Sequence, residues 1–400
     1  MRRRDDSGRD GRLHDARGYV RLSDLEASRA PGLTREPPSA APDGRDTDMT
    51  AAPPAAVGRR SAARKPQPEP TPVRSVLRGG GLLVLTGLLL LLVVLSTWIG
   101  TKDTTLGQVW TALWNDDGSY ATDVIRQLRL PRTLVGLMTG AALGAAGAVM
   151  QAVTRNPLAD PGLLGVNAGA SAAVVFGIGV VGLAGFGSLV WFSFVGAALT
   201  TVIVYVLGAS GRAGPTPVRL ALAGAAVSAS LGGVIAGLTV FDSAAYDYLR
   251  FWMVGSLAGR EPELVVQLLP FVAVALLLAR PLNSLALGEE LGRALGARIA
   301  RTRIAAVVAV TLLCGASTAA AGPIGFVGLV VPLVARWLTG PDLRWVLPYS
   351  MLLAPVLLLV SDIIGRVALP GDELEVGAVT AVIGAPVFIA MVCRRKEASL

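Results

Sequence analysis

The feature that most constrains this chain is the length of its uncharged segments. Residues 162–211 carry no charged side chain over fifty consecutive positions. A helix crosses the hydrocarbon core of a bilayer with about 20 apolar residues, so this segment alone can supply two spanning helices joined by a turn near residues 185–188. Hydrophobic residues make up 52% of the 400 residues and charged residues only 16%, whereas a soluble protein has about 25% charged residues. A water-soluble enzyme is therefore excluded, and the sequence predicts an all-α integral membrane protein.

The same criterion predicts ten transmembrane helices in a compact bundle. Two come from residues 162–211 and two from residues 304–335, where Gly-Pro-Ile-Gly at 322–325 interrupts the uncharged run. The other six are predicted at residues 79–101, 133–154, 220–241, 264–287, 345–361 and 376–393. Because the number of crossings is even, both ends of the chain are expected on the same side of the membrane.

Residues 1–75 differ in composition from the rest of the chain. They are rich in Arg, Asp, Pro and Ala and have no sustained apolar pattern. Such a segment cannot bury enough apolar surface to offset the entropy lost on ordering. We therefore predict a disordered cytoplasmic tail at 1–75 and a ten-helix transmembrane domain at 76–400. The tail lacks the apolar core of a secretory signal peptide, and Met49 within it leaves a later translation start open.

The distribution of Lys and Arg predicts the orientation in the membrane. With the N-terminus in the cytoplasm, the inner loops and the C-terminus hold 13 basic and 5 acidic residues, and the outer loops hold 7 basic and 12 acidic residues. Cytoplasmic loops carry such an excess of basic residues. We therefore expect a multi-pass protein of the cytoplasmic (inner) cell membrane with both termini in the cytoplasm. This bias accounts for much of the net charge of +8, so membrane lipid, and no nucleic acid, is the expected partner of the basic residues.

Small residues recur at every fourth position on two of the predicted helices. Such spacing lets helix backbones approach closely in lipid. We interpret both sets as helix-packing surfaces within the bundle. They are Gly136, Gly140 and Gly144 on the second predicted helix, and Ala221, Ala225, Ala229, Gly233 and Gly237 on the fifth.

The residue types that most enzymes need are nearly missing. The only histidine is His14, and the two cysteines, Cys314 and Cys393, lie in apolar stretches, so neither a metal site nor Ser-His-Asp chemistry is predicted. None of the three lysines lies in the GxxxxGK[ST] motif that binds phosphates. The uncharged runs hold no carboxylate, lysine or histidine, which argues against an ion-coupled secondary carrier. We expect a transport subunit that is not an enzyme, binds no cofactor itself and takes its energy from another chain.

Several sequence blocks resemble one known family. They are Leu-Arg-Leu-Pro-Arg at 128–132, the Gly- and Ala-rich run at 140–151, Asn-Pro-Leu-Ala-Asp-Pro-Gly-Leu-Leu-Gly at 156–165, Gly-Pro-Ile-Gly-Phe-Val-Gly-Leu-Val-Val-Pro at 322–332, and the pair formed by 362–366 and 384–388. Together they closely resemble the FecCD family, the permeases of ABC importers for iron-siderophores, haem and cobalamin. The resemblance covers about residues 78–396 and leaves the tail outside.

The resemblance implies partners for this chain. It implies a second permease subunit, either a copy or a paralogue, and two cytoplasmic ABC ATPases that hold ATP and Mg. It also implies short coupling helices in the loop at about 282–303, which dock into a groove of the ATPase. Leu291, Leu295 and Ile299 form an apolar stripe there at helical spacing, together with Gly292, Arg293 and Gly296. Helical spacing alone is equally typical of an amphipathic loop lying on the lipid interface.

The resemblance also assigns a role to three arginines of the outer loops. In relatives, arginines at the positions of Arg129, Arg132 and Arg366 receive acidic residues of the extracytoplasmic siderophore-binding protein. Guanidinium groups suit carboxylates because both can form two parallel hydrogen bonds. The alternatives are arginines that anchor helices at the membrane interface, or an exposed pair of Asp362 with Arg366, worth only a few tenths of a kcal/mol.

The cargo is predicted by similarity of pattern. Residues 165–170 and 249–257 look more like ferric-siderophore permeases than cobalamin permeases. We therefore expect import of a ferric-siderophore, energised by partner ATPases. A cobalamin or haem permease is the alternative, and an ion-coupled secondary carrier is a further one. Since the iron arrives already chelated, no metal ligands are expected in this chain.

Overall fold

The computed structural model of the chain describes residues 72–100, 102, 104–183, 185–210, 216–260, 269–286, 298–369 and 372–397. These residues lie within one compact unit, Pro68–Leu400. The predicted tail, apart from its last four residues, and residues 287–297 of the predicted coupling loop lie outside the described residues.

The described residues are almost entirely helical. The first half contains α1 (Pro72–Trp98), α2 (Leu106–Trp114), α3 (Tyr120–Asp123), α4 (Leu130–Thr154), α5 (Val166–Gly179), α6 (Phe186–Ala209) and α7 (Pro217–Phe241). The second half contains α8 (Ser243–Val254), α9 (Leu269–Leu277), α10 (Ala279–Ala286), α11 (Ile299–Ala321), α12 (Val327–Thr339), α13 (Leu343–Val367) and α14 (Val376–Glu397). A π-helical segment, Val124–Arg129, joins α3 to α4, and one 3-10 turn, Pro161–Leu164, precedes α5.

This architecture confirms the predicted all-α membrane fold. Within the described residues, seven helices are long and apolar enough to cross a bilayer: α1, the continuous helix from Tyr120 to Thr154, α6, α7, α11, α13 and α14. Two shorter apolar helices are α5 and α12, and α9 with α10 lies in the region of the sixth predicted span. Within the described residues, nine of the ten predicted spans thus coincide with an apolar helix, and the sixth coincides with the pair α9 and α10. The short helices α2, α3 and α8 are additions that the uncharged runs do not indicate.

The two breaks predicted inside long uncharged runs are present. The first separates α5 from α6 between Gly179 and Phe186, close to the predicted turn. The second separates α11 from α12 and begins at Gly322, whose φ of 77° is a conformation that side chains with a Cβ atom rarely adopt. A Cβ atom there would also meet the carbonyl oxygen of Trp252. Glycine is therefore required at this break both by its backbone angle and by the close approach of α8.

Helix α4 forms the centre of the bundle and packs antiparallel to α13. A Cβ atom on Gly136 would lie 3.0 Å from Leu359 Cδ2, and one on Gly140 would lie 2.6 Å from the Pro355 Cα atom. A Cβ atom on Gly144 would meet the carbonyl oxygen of Ser350. The first set of small residues therefore lies against α13, where the absence of side chains lets the two backbones approach.

The second set of small residues lies elsewhere. Ala225, Ala229 and Gly233 are exposed on α7, and a Cβ atom on Gly233 or Gly237 would have no neighbour within 4 Å among the described residues. The interpretation of these residues as a packing surface within the bundle therefore does not hold for the described part of the chain. The reason is that α7 packs on α5 and α6 through its other face, which leaves the stripe free for lipid or another chain.

We expect Gly140→Ala to destabilise the protein, because the added methyl group must displace the Pro355 backbone. Overpacking of this kind costs about 1–3 kcal/mol. Gly237→Ala is the matched control, since it adds the same group to a helix surface with open space. The measurement is thermal unfolding of both purified variants in the same mild detergent. Equal unfolding midpoints for the two variants would contradict the described α4–α13 contact.

Candidate functional site

A group of charged side chains lies buried where α4 begins and α13 ends. We call it the arginine cluster, and it consists of Arg129, Arg132, Asp362, Arg366 and Glu373. Arg129 ends the π-helical segment, and Arg132 lies in the first turn of α4. Asp362 and Arg366 are four residues apart near the end of α13, so they project from the same face. The structure therefore brings together the three arginines that the resemblance assigns to docking.

Asp362 is the centre of the cluster, and its carboxylate is fully buried. Arg132 Nε donates to Asp362 Oδ1 at 2.8 Å, and Arg366 Nη2 lies 2.9 Å from Asp362 Oδ2. Arg132 Nη1 also donates to Glu373 Oε2 at 2.7 Å, and the Glu373 side chain is partly exposed. An unpaired buried ion is strongly destabilising. These pairs are therefore what allows the guanidinium groups to lie beneath the surface.

Arg129 and Arg366 also bind the carboxyl-terminal end of α1. Both Nη1 atoms donate to main-chain oxygens there, and Arg366 Nη2 donates to the Ser96 hydroxyl at 2.8 Å. The carbonyl groups in question are those of Ser96, Thr97, Trp98 and Ile99. The last four carbonyls of a helix have no partner within it and carry a partial negative charge. The two arginines supply the missing donors, so the end of α1 is fixed to α4 and α13.

A cavity of about 290 Å³ lies beside the arginine cluster. Its wall includes Lys102 and all three arginines of the cluster, and Glu373 is the one acidic residue among the described residues that line it. Positive groups therefore outnumber negative ones around the cavity. Such a site suits a carboxylate, which can accept paired hydrogen bonds from a guanidinium group.

The arginines are less accessible than the sequence predicts. The exposed fraction is 5% for Arg129, 9% for Arg132 and 3% for Arg366. The alternative of an exposed Asp362–Arg366 pair is wrong, because both residues are buried. The predicted end of the ninth span at residue 361 is too early, because the helix α13 continues to Val367 and carries Asp362, expected in an outer loop, into the interior. The docking role stays a prediction. Arg132 is the most exposed of the three arginines and lies beside the partly exposed Glu373.

The predicted coupling residues fall mostly outside the described part of the chain. Those that cannot be placed are Leu291, Gly292, Arg293, Leu295 and Gly296. Ile299, the last member of the apolar stripe, begins α11 and is buried in the main hydrophobic core. Its side chain therefore packs inside this chain and does not form part of a docking surface.

The residue that holds the start of this loop is Asn283 on α10, which the sequence does not single out. Asn283 Nδ2 donates to Asp342 Oδ1 at 2.6 Å, and the main-chain N–H of Leu343 donates to Asn283 Oδ1 at 2.9 Å. Asp342 is the N-cap of α13 and also accepts from the Arg344 N–H. The amide of Asn283 thus ties the beginning of the predicted coupling loop to the first turn of α13.

Three residues were not predicted from the sequence: Glu373 and Ser96 at the arginine cluster, and Asn283 at the predicted coupling loop. Glu373 could have been found, because it is an acidic residue seven positions after Arg366 in the same outer loop. Ser96 and Asn283 carry no such signal, since a single polar residue near the end of an apolar run is typical of many membrane helices. Their partners lie far away in sequence, at Arg366 and Asp342.

We expect Asp362→Ala to destabilise the protein strongly, because it leaves two buried guanidinium groups without their shared carboxylate. Removing one partner of a buried ion pair typically costs about 3–5 kcal/mol. Asp247→Ala is the control, because Asp247 pairs with Arg250 at 3.4 Å on an exposed helix surface. Exposed pairs contribute about 0–1 kcal/mol. Unfolding of both variants in the same detergent tests this, and a loss at Asp362 no larger than that at Asp247 would refute it.

Comparison with known proteins places this architecture in a family. The model of the FecCD transport family matches residues 88–394. The chain is 48% identical over 320 residues to the ferric enterobactin transport system permease protein FepD of Escherichia coli strain K12, covering 78% of this chain and 96% of that protein. It is 40% identical over 312 residues to the probable siderophore transport system permease protein YfiZ of Bacillus subtilis strain 168, covering 77% and 94% of the two chains.

A solved structure agrees with this family assignment. A transporter described as an ABC transporter of the metal-chelate type, in an inward-facing conformation, superposes with a TM-score of 0.66 and 28% identity. The match covers 79% of this chain and 99% of that one. The matched residues 88–394 begin within α1 and include the arginine cluster and the other described spans. This chain therefore belongs to the FecCD transport family and is a multi-pass membrane permease.

Proposed function

We propose that this chain is the permease subunit of an ABC importer that moves a ferric-siderophore across the cytoplasmic membrane. The observation that carries the proposal is the 48% identity to a ferric enterobactin permease over 96% of the length of that protein. Relatives named for haem and vitamin B12 transport are 35% and 40% identical. Haem and cobalamin are therefore the alternative cargoes.

The proposed energy source is ATP hydrolysis by two partner ATPases, which hold the ATP and Mg. The sequence supports this, since none of its lysines lies in a phosphate-binding motif. The described ion pairs support it as well: Asp362, the buried carboxylate of α13, is already bound by two arginines, so it is not free to carry a proton or sodium ion. An ion-coupled carrier is therefore disfavoured.

Transmission from the ATPases is proposed to pass through residues 287–297 and their docking residues Leu291 and Leu295. Two contacts of the flanking segments support this. Asn283 ties the preceding helix to the start of α13, and Ile299 anchors the following helix in the core. A movement imposed on the loop would therefore act directly on α11 and α13.

The second permease subunit, a copy or a paralogue, is proposed to face the small-residue stripe of α7. The stripe consists of Ala225, Ala229, Gly233 and Gly237, and it is exposed in this chain. Small residues let a second helix approach closely in lipid, where an apolar surface alone gives no preference for protein over lipid. The proposed orientation has both termini in the cytoplasm, which puts the arginine cluster at the extracytoplasmic end.

The binding protein is proposed to dock at the cavity beside the arginine cluster. Arg132 is the arginine best placed to contact it, because its second partner, Glu373, is partly exposed. A carboxylate of the binding protein would take the place of Glu373 on Arg132 Nη1. Arg129 and Arg366 would position this contact by holding the end of α1 against the cavity wall.

The transport proposal predicts ATP-dependent uptake in a defined system. The chain, its ATPase and its binding protein are reconstituted in proteoliposomes with ATP inside, and uptake of radioactive iron as ferric catecholate siderophore is measured against labelled haem and cobalamin. We expect uptake of the siderophore only, and none when the ATPase is omitted. Faster uptake of haem or cobalamin would overturn the cargo, and uptake driven by an ion gradient without the ATPase would overturn the mechanism.

The docking proposal predicts that Glu373→Gln strengthens binding, because the variant removes the internal carboxylate that competes for Arg132. A partly exposed ion pair contributes about 0–1 kcal/mol, so the affinity of the binding protein should rise by at most about fivefold. Asp372→Asn is the matched control, because it removes one negative charge from an exposed neighbouring side chain. The affinities are measured as binding of each permease variant, in nanodiscs, to the surface-immobilised binding protein. Weaker binding by Glu373→Gln, or equal strengthening by both variants, would contradict the proposal that a carboxylate of the binding protein replaces Glu373 on Arg132.

A further inference from the structure

The short helix α2 has an exposed apolar face that neither transport nor docking explains. Its nine residues include no charged side chain. Trp110 and Trp114 are 68% and 71% exposed, and their rings lie 5.9 Å apart between centroids. Leu106 and Leu113 are exposed beside them. At about 100° of rotation per residue, these four side chains cover an arc of about 100°.

The opposite side of α2 is fixed to the protein. Val109 and Ala112 form a small separate core with Ile125 of the π-helical segment. Arg126 Nε donates to the carbonyl oxygen of Ala112. A capping box between Thr105 and Gln108 closes the first turn of the helix. The exposed face is therefore held in one orientation and does not result from a loose helix.

The helix α2 follows directly after α1, which also has an exposed apolar face. Leu83, Leu90 and Leu91 of α1 are more than half exposed within this chain, and α1 is long and apolar enough to cross a bilayer. The link to α2 is short and tied by two hydrogen bonds: Trp98 Nε1 donates to the Thr104 carbonyl oxygen at 2.9 Å, and the Thr104 hydroxyl donates to the Trp98 carbonyl oxygen at 3.1 Å. The helix α2 therefore begins at the level where α1 leaves the bilayer.

The chain becomes polar directly after α2. Asp116 and Asp117 are exposed in the following turn, and the Thr122 hydroxyl lowers the pKa of Asp117 to about 2. This carboxylate is therefore ionised at neutral pH and must remain in water. An apolar helix thus lies between a lipid-facing helix and a hydrated acidic turn, which is the setting of a membrane–water interface.

We propose that α2 lies in the plane of the membrane interface, with its Trp110–Trp114 face inserted at the boundary between lipid headgroups and acyl chains. Nine residues span only about 14 Å, far less than a bilayer core, so α2 cannot cross it. Tryptophan is the side chain enriched at this boundary, and helices with one apolar face bind there. The partner is the lipid of the leaflet at which α1 ends.

This anchor fixes the depth of the arginine cluster. Ile125 and Arg126, which bind α2, lie in the same π-helical segment as Arg129. Insertion of the two tryptophan rings thus sets the level at which that segment meets water. The inference does not depend on the cargo or on the docking role of the arginines, since it concerns only the contact between α2 and lipid.

The test uses nitroxide labels on the full chain in nanodiscs of phosphatidylcholine and phosphatidylglycerol. Cys314 and Cys393 are replaced by serine, and labels are attached to Trp110→Cys, Leu113→Cys and Thr111→Cys in separate samples. Thr111 is the matched control, because it is exposed on another side of the same helix and lies outside the capping box. Collision with oxygen, which concentrates in lipid, is compared with collision with a water-soluble nickel chelate.

We expect the ratio of oxygen to nickel collisions to be severalfold higher at positions 110 and 113 than at 111. Equal ratios at all three positions would place the face in water and overturn the proposal. Labels at 110 and 113 that are protected from both reagents would show that a protein covers the face, which overturns the proposal as well.

A second readout avoids cysteine: brominated lipid should quench less tryptophan fluorescence in the Trp110→Phe, Trp114→Phe double variant than in the natural protein. An unchanged quenched fraction would contradict insertion.

Discussion

The rest of the structure depends on one buried carboxylate, Asp362, held between Arg132 and Arg366. The carboxylate joins the first turn of α4 to the last turns of α13, and Arg366 extends the connection to the end of α1. Three helices that are remote in sequence thus meet through a single charge. Because the site is shielded from water, each ion depends on the others, and the group is stable only as a whole.

Sequence patterning predicts the membrane part of this fold well, because the hydrocarbon core imposes a length of uncharged helix that is visible in any single sequence. The two helices within residues 162–211 and the break at Gly322 follow directly from it. The short helix α2 does not, since nine residues are too few to stand out as an uncharged run. The same criterion misjudges Asp362, because a charge at the end of a run is read as a boundary although the helix continues past it.

The sequence predicts which residues form the candidate site, but it does not predict how deeply they are buried or what they bind. The resemblance selects Arg129, Arg132 and Arg366, and the structure brings them together around one cavity. Their burial could not be predicted, because it depends on partners from other elements: the carbonyls of α1, Glu373 and Asp362.

The two sets of small residues also show that a sequence pattern does not reveal which element packs against it. Gly140 and Ala225 have equivalent spacing, yet one lies against α13 and the other is exposed, since spacing reports the shape of a helix and not what covers it.

A double-mutant cycle between Arg132 and Asp362 tests most directly whether this carboxylate holds the helices together. Arg132→Gln, Asp362→Asn and the combined variant are unfolded in the same mild detergent, and the coupling free energy is taken from the departure from additivity. Residues in direct contact couple by about 0.5–3 kcal/mol, and we predict a favourable coupling of more than about 1 kcal/mol for this buried pair. Additive effects of the two substitutions would show that the pair contributes nothing as a pair, and would contradict the central role of Asp362.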